Sequence, residues 1–194
     1  MTLHVIAVAY DRPIELRVLI DSFLRQTDPR WKLYIMYDGP APKKICEIMG
    51  LYDDERIYFY ASVKRNGMYG HPNRRRMLDK LDGDDMDYVL LTNDDNIYVP
   101  LYVEYMLQKC SRTVGIVSCN TVHSHFAYNI HESRLKRSHI DMGAFIVKLP
   151  VAKAVGFTHI DYDADGMYAE ECTALCLANR YELVHIPKPL FIHC

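Results

Sequence analysis

The sequence predicts an α/β fold with a mostly parallel central sheet and helices on both of its faces. Short apolar runs alternate with segments of helical periodicity through residues 1–119, and this β-α order gives parallel strands joined by helical crossovers. Polar residues follow several of the apolar runs, where parallel sheets build their ligand crevice. The 194 residues, 49% hydrophobic and 25% charged, suit one globular domain.

The first two strands are predicted at Leu3–Ala9 and Trp31–Tyr37, because both are short runs rich in apolar residues. A helix joins them. Pro13 suits its first turn, and apolar residues recur at helical spacing to about Gln26. Asp38-Gly39-Pro40 is a turn signal that ends the second strand.

A short helix at Lys43–Met49 and a third strand at Ile57–Ala61 come next. Glycines, a proline and asparagines make residues 64–73 a loop, after which Arg74–Leu81 has helical character. The fourth strand is the apolar run Tyr88–Thr92.

The second part of the chain is less regular. Residues 120–138 are polar and lack glycine, and we expect a long loop, a feature that is often functional. The remaining predicted elements are a helix at 101–109, strands at 114–119 and 143–148, a short helix at 150–155, an acidic loop at 156–166, a helix at 168–179, and strands at 182–186 and 190–193.

An acidic cluster, Asn93-Asp94-Asp95-Asn96, directly follows the fourth strand. Two acids flanked by two amides form an all-oxygen ligand set, which Mg²⁺ and Mn²⁺ prefer. Taken alone, the cluster also suits a turn that caps the next helix. Strands one and two also end in polar residues, Tyr10-Asp11 and Asp38-Gly39, and ends of parallel strands share one edge. This coincidence favours a ligand site.

The net charge, the cysteine spacing and the lack of long apolar segments limit the classes of function that the sequence suits. The net charge of −2 gives no general attraction to nucleic acid or anionic membranes, whereas the basic cluster Arg74–Arg76 suits a small phosphate-bearing molecule. The six cysteines lack the spacing of a disulfide framework, and Cys172 and Cys176 with His123 and His125 lack that of a zinc site. With no recognisable signal peptide or transmembrane stretch, we expect a cytoplasmic protein.

The polar motifs, in their order along the chain, resemble those of family 2 glycosyltransferases of the GT-A fold. Asn93-Asp94-Asp95 corresponds to the Asp-x-Asp metal motif of that family, with Asn93 in place of its first aspartate. The other matching segments are Ala9-Tyr10-Asp11-Arg12-Pro13, Gln26-Thr27, Tyr37-Asp38-Gly39, Asn66-Gly67, Asn73, Pro100, Gly143, Gly156-Phe157, Glu170-Glu171 and Pro187–His193.

The resemblance implies a transferase that moves a sugar from a nucleotide-diphosphate donor, a UDP-sugar, onto an acceptor hydroxyl with inversion. Residues 1–119 would bind the nucleotide-sugar, and residues 120–194 the acceptor. Asp95 and His193 would hold Mn²⁺ or Mg²⁺. The residues implied to bind the nucleotide-sugar are Ala9, Tyr10, Arg12, Asp38, Gly39, Asn66, Arg74, Asn93, Asp94, Asp141 and Gly143.

An acceptor hydroxyl that attacks a sugar must lose a proton, so a carboxylate base is expected. The resemblance makes Glu171 the first candidate and Glu170 the second, with Asp163 and Asp165 as rivals. Alternatively, these acids stabilise the positive end of a helix dipole.

Two other functions stay open. A nucleotidyltransferase would carry a glycine-rich phosphate loop near the first strand, and residues 7–11 contain no glycine. A non-catalytic nucleotide-sugar-binding protein is made more credible by Asn93. The acceptor and the oligomeric state are not predicted.

Overall fold

The computed structural model describes all residues from Met1 to Cys194 and contains one nine-stranded sheet. Its strands are β1 Leu3–Ala9, β2 Trp31–Tyr37, β3 Ile57–Ala61, β4 Tyr88–Asn93, β5 Asn96–Tyr98, β6 Val114–His123, β7 Asn129–His131, β8 Phe145–Lys148 and β9 Glu182–His193. The helices are α1 Pro13–Leu24, α2 Lys43–Met49, α3 His71–Lys80, α4 Tyr102–Gln108, α5 Leu149–Val155 and α6 Ala164–Ala178.

The strand order is β3-β2-β1-β4-β8-β6-β9-β5, and β7 pairs with the end of β6. Strands β1 to β4 are parallel, as the alternating order predicts. The second half is mixed: β8 runs antiparallel to both β4 and β6, whereas β9 is parallel to β6. The predicted α/β class is therefore confirmed, with β1 to β4 parallel to one another and the antiparallel pairs formed by β5, β7 and β8.

The core lies along the central strands. Every residue of β1 is buried, which explains why this strand is continuously apolar apart from His4. Helix α1 buries Leu16, Leu19, Ile20 and Phe23, a stripe at helical spacing. This packing holds the carboxyl ends of β1 and β4 in fixed positions.

Several elements differ from the sequence prediction, among them β5, which was not predicted, and α6, which begins at Ala164 rather than at residue 168. The segment predicted as a long loop contains the end of β6 and all of β7, which form a hairpin. Helix α3 begins at His71, directly after a left-handed glycine, Gly70. The two predicted C-terminal strands are one strand, β9, whose pairing with β6 shifts register around Asn120, opposite its proline-containing middle.

All six cysteines are free thiols, and Cys119, Cys172 and Cys176 are buried. None of the helices has the length and apolar character needed to cross a membrane.

Candidate active site

A cleft of about 1360 Å³ opens where β1 and β4 end. Pockets for drug-sized molecules occupy about 300–1,000 Å³, so this cleft has room for a larger ligand or for two. Its charged and titratable lining is dominated by aspartate and histidine, with three arginines: Asp38, Asp94, Asp95, Asp141, Asp161, Asp163, Asp165, His71, His123, His125, His131, His193, Arg12, Arg65 and Arg74.

Asp94 joins the ends of the two central strands. Its carboxylate accepts a hydrogen bond of 3.0 Å from the backbone N–H of Tyr10, and the guanidinium of Arg12 lies 3.5 Å away. Burial raises the pKa of Asp94 to about 7. Asp94 therefore acts as a link between the strand ends as well as part of the cleft wall.

Asp95 has one carboxylate oxygen in use and one free. Its Oδ2 atom forms an ion pair with Arg12, whereas its Oδ1 atom is buried without a hydrogen-bond partner. A buried unpaired carboxylate oxygen is costly unless a cation or a donor reaches it. The position of Asp95 therefore fits the predicted role of metal ligand.

A second group of ligand atoms lies beside Asp95. One atom from each of His123, Asp141 and His193 lies within 4.8 Å of the other two. The Nδ1 atom of His193 is 3.2 Å from Oδ2 of Asp141 and 3.0 Å from the side-chain oxygen of Asn96. Burial, followed by the neighbouring imidazoles, lowers the pKa of His123 to about 4. His123 is therefore neutral at physiological pH.

Arg74 is a buried cation in the cleft wall, 1% exposed. It donates to the carbonyl of Tyr69 at 2.6 Å and to the side-chain oxygen of Asn93, and no carboxylate forms an ion pair with it. Burial lowers its pKa to about 10, so it stays charged at neutral pH. A buried guanidinium without a carboxylate partner is suited to binding an anion.

The segment Gly67–Gly70 covers Arg74 with an unusual backbone. All four residues have positive φ angles, including Met68 at 49° and Tyr69 at 53°. Non-glycine residues rarely adopt this conformation, and such strain is concentrated at functional sites. Nearby, the guanidinium of Arg65 stacks 3.8 Å from the ring centroid of Tyr10.

Three aspartates at and just before the start of α6 also line the cleft, Asp161, Asp163 and Asp165. The carboxylate of Asp165 is near enough to Arg74 to favour the charged form of that guanidinium. Asp163 is paired with Arg137, whereas Asp165, in the first turn of α6, has no ion-pair partner. Burial and then the charge of Asp141 raise the pKa of Asp165 to about 6. This carboxylate is mostly ionised at neutral pH and is a stronger base than an exposed aspartate.

The sequence model of glycosyl transferase family 2 matches residues 4–156, from β1 to the end of α5. The chain belongs to glycosyl transferase family 2. No curated protein sequence matches it.

Solved structures share the architecture of this family 2 chain. TarS 1–349 of S. aureus has a TM-score of 0.73 and 11% identity, covering 100% of this chain and 60% of that one. The complex of TarS 1–349 with UDP-GlcNAc has a TM-score of 0.74 and 11% identity, covering 99% of this chain and 58% of that one. The mannosyltransferase PcManGT of Pyrobaculum calidifontis, in complex with GDP-Man and Mn²⁺, has a TM-score of 0.75 and 14% identity. The match covers 98% of this chain and 56% of that one. These matches show the GT-A fold, and the chain spans about 56–60% of their length.

Ten of the residues implied by the family 2 resemblance line the cleft, and five do not. Those in the lining are Ala9, Tyr10, Arg12, Asp38, Arg74, Asn93, Asp94, Asp95, Asp141 and His193. Those outside it are Gly39, Asn66, Gly143, Glu170 and Glu171.

Three of the residues outside the lining have other contacts. Glu170 accepts a hydrogen bond from the backbone of Arg137, and Glu171 lies 2.8 Å from the ring of His159, so both acids are engaged outside the cleft. Gly143 is buried beneath the cleft, where a side chain would collide with Phe191. Its missing side chain makes room for the core rather than for a sugar.

The sequence analysis missed the histidines of the β6–β7 hairpin as site residues. His123, His125 and His131 all line the cleft, together with Phe126. His123 is the last residue of β6 and His125 lies in the turn that follows, so strand periodicity alone would not have joined them. The available signal was a cluster of histidines directly after an apolar run.

Proposed function

We propose that this chain transfers a sugar from a nucleoside-diphosphate donor to an acceptor hydroxyl. The observation that supports the proposal is that one cleft contains both a buried cation and a buried carboxylate oxygen that lack partners. Arg74 is a buried cation without a carboxylate partner, and Asp95 has a buried carboxylate oxygen without a donor. A diphosphate with a divalent cation would suit both groups, because Arg74 would hold phosphate oxygens and Asp95 would hold the ion.

In this proposal Asp95 and His193 hold the divalent ion. When bound, Mn²⁺ or Mg²⁺ supplies positive charge that neutralises the nucleoside diphosphate as it leaves. Arg74 adds a fixed positive charge from the protein, in a wall where burial keeps water away. Asp94 keeps the ends of β1 and β4 together, which fixes the position of Asp95 relative to Tyr10.

Asp165 takes the role of general base in place of Glu171. Its carboxylate lines the cleft near Arg74, whereas Glu170 and Glu171 are engaged elsewhere. It would accept the proton of the acceptor hydroxyl as that oxygen attacks the anomeric carbon and the diphosphate leaves. A single displacement of this kind inverts the configuration at the sugar.

A uridine nucleotide is the proposed donor. The support is Asp38, which follows β2 and lines the cleft where the resemblance expects contact with uracil or its ribose. TarS was solved with UDP-GlcNAc and PcManGT with GDP-Man, so members of this fold accept either base. Calorimetry with uridine and guanosine diphosphate in the presence of Mn²⁺ tests the choice, and tighter binding of guanosine diphosphate would contradict it.

The base assignment is tested with two matched carboxamide variants. We expect Asp165→Asn to leave nucleoside diphosphate affinity nearly unchanged and to slow hydrolysis or transfer of the donor sugar by about 10²-fold or more. Glu171→Gln, on the same helix, is the control and should stay within a few-fold of the parent. The reverse pattern would restore Glu171 as the base. Binding of donor without any turnover in the parent would leave a nucleotide-sugar-binding protein.

A further inference from the structure

Three adjacent strands bring side chains from distant parts of the sequence into one row. Strand β9 lies between β6 and β5, and His193 is the register partner of both His123 on β6 and Asn96 on β5. Register partners on neighbouring strands project to the same face of a sheet. The ring centroids of His123 and His193 are 4.2 Å apart. The backbone ladder therefore fixes the two imidazoles side by side.

Asp141 reaches the same place from outside the sheet. Its Oδ1 atom accepts a 2.8 Å hydrogen bond from the N–H of Gly143, which orients the carboxylate. Its Oδ2 atom then lies 3.2 Å from the ring of His193. His123, Asp141 and His193 thus offer three ligand atoms within 4.8 Å of one another. Ligands at about 2.1 Å from one ion are at most about 4.2 Å apart, so small side-chain rotations suffice.

We propose that His123, Asp141 and His193 form a transition-metal site that the protein loads in the absence of nucleotide. Two imidazoles and a carboxylate suit Mn²⁺, Co²⁺ or Zn²⁺, whereas Mg²⁺ prefers oxygen ligands and retains its waters. Three protein ligands bind an ion without help from a diphosphate. Asp95, with its unpaired Oδ1 atom, faces the same cleft. The use of this ion in sugar transfer rests on the proposed function, but its binding does not.

The full chain, free of nucleotide, is titrated with Co²⁺, Mn²⁺, Zn²⁺ and Mg²⁺ by calorimetry, and with Co²⁺ by visible absorption. We expect one Co²⁺ per chain and no heat from Mg²⁺ in the same concentration range. His123→Ala should weaken Co²⁺ binding by about tenfold or more, since loss of a ligand costs at least as much as loss of its supporting partner. His139→Ala, an exposed histidine outside the cleft, should bind as the parent does.

Two further variants test whether Cys194 is a ligand and whether the loss of Co²⁺ binding is caused by loss of stability. Cys194→Ser should retain Co²⁺ binding, because the exposed thiol that lines the cleft is not one of the three ligands. His123→Gln, which keeps a polar side chain in the strand, should weaken binding as His123→Ala does while its thermal melting temperature stays close to that of the parent. Weak binding in a variant that melts normally supports a ligand role for His123.

A cluster held by hydrogen bonds alone is the opposing account, since His193 contacts Asn96 and the N–H of His125 donates to His123. No Co²⁺ binding, equal binding of Mg²⁺, or unchanged affinity in both His123 variants would overturn the inference. Sugar transfer that needs Mg²⁺ only, without ion binding in the free protein, removes this site but leaves the proposed function. Ion binding without turnover removes the proposed function but leaves the site.

Discussion

The buried carboxylate of Asp38 accepts a 2.8 Å hydrogen bond from the side-chain amide of Asn73, in the first turns of α3. The same carboxylate accepts hydrogen bonds from the backbone N–H groups of Asn66 at 2.8 Å and Gly67 at 2.9 Å. Asp38 therefore joins the end of β2 to the loop that covers Arg74. It shapes the cleft whether or not it also contacts a nucleotide.

Asp38→Asn is expected to lower the free energy of unfolding by about 2–3 kcal/mol, because an amide nitrogen replaces an acceptor among three donors and leaves a buried group unpaired. Urea unfolding measures the change. Asp82→Asn, at an exposed position, is the control and should stay within about 0.5 kcal/mol of the parent. Equal stability of the two variants would show that the Asp38 carboxylate is not required by the fold.

Gly70→Ala is expected to destabilise the protein by about 3 kcal/mol. One part of the cost arises because a residue with a side chain must adopt a left-handed backbone conformation. The other part arises because the new Cβ atom overlaps with the side chain of Val8. The φ angle of Gly70 is 78°, and a Cβ atom there would lie 2.4 Å from Cγ1 of Val8. In a Val8→Ala background the cost should fall towards about 1 kcal/mol, the backbone part alone. A double-mutant cycle by thermal unfolding tests this, and additive effects would exclude the overlap as a cause.

Arg74→Lys is expected to weaken binding of uridine diphosphate by about tenfold or more, because lysine cannot reproduce the planar, multiple donation of a buried guanidinium. Calorimetry in the presence of Mn²⁺ measures the loss. Arg75→Lys makes the same change at an exposed position of the same helix and should bind normally. If both variants bind like the parent, Arg74 serves only to hold Tyr69 and Asn93.

His4 should contribute a loss of stability as the pH drops below about 6.5, whereas the raised pKa values of Asp94 and Asp165 act in the opposite direction. Burial lowers the pKa of His4, although its hydrogen bond with Asp87 raises it, so the unfolded chain takes up the proton first. The lowered pKa of Asp87 acts in a separate window, below about 4, where its stabilising contribution is lost.

Urea unfolding at about pH 7.5, 6.5 and 5.5 measures the slope of the unfolding free energy against pH. The difference in unfolding free energy between the parent and His4→Gln should move against the parent as the pH falls, because only the parent loses the contribution of His4. His139→Gln removes an exposed imidazole and serves as the control. A slope in His4→Gln as steep as that of the parent would assign the pH dependence to other groups.

The predictable part of this protein rests on local signals. Apolar runs that end in polar residues placed β1, β2 and β4 correctly, and parallel order then brought Tyr10, Asp38 and Asp94 to one edge. These inferences need only strand periodicity and the shared direction of the strands. The acidic cluster Asn93-Asp94-Asp95-Asn96 belongs to the same group, because it directly follows an apolar strand.

The missed features depend on contacts between distant segments. The β6–β7 hairpin forms through pairing that leaves little trace in composition, so His123 was not predicted to enter the site. The position of Glu171 outside the cleft lining has a different cause, the start of α6. The helix begins at Ala164, and Glu170 and Glu171 follow Asp165 by about 140° and 240° around its axis. Of these three acids, Asp165 alone lines the cleft.

The pairing of β9 also limits what changes in chain length the protein tolerates. Adding or deleting one residue between Pro189 and His193 would turn every later side chain to the opposite face, because strand side chains alternate. His193 would then point away from Asp95, even though no residue of the cleft had been replaced. Point substitutions in this tail should be far milder than a single insertion, and the number of residues in it matters as much as their identity.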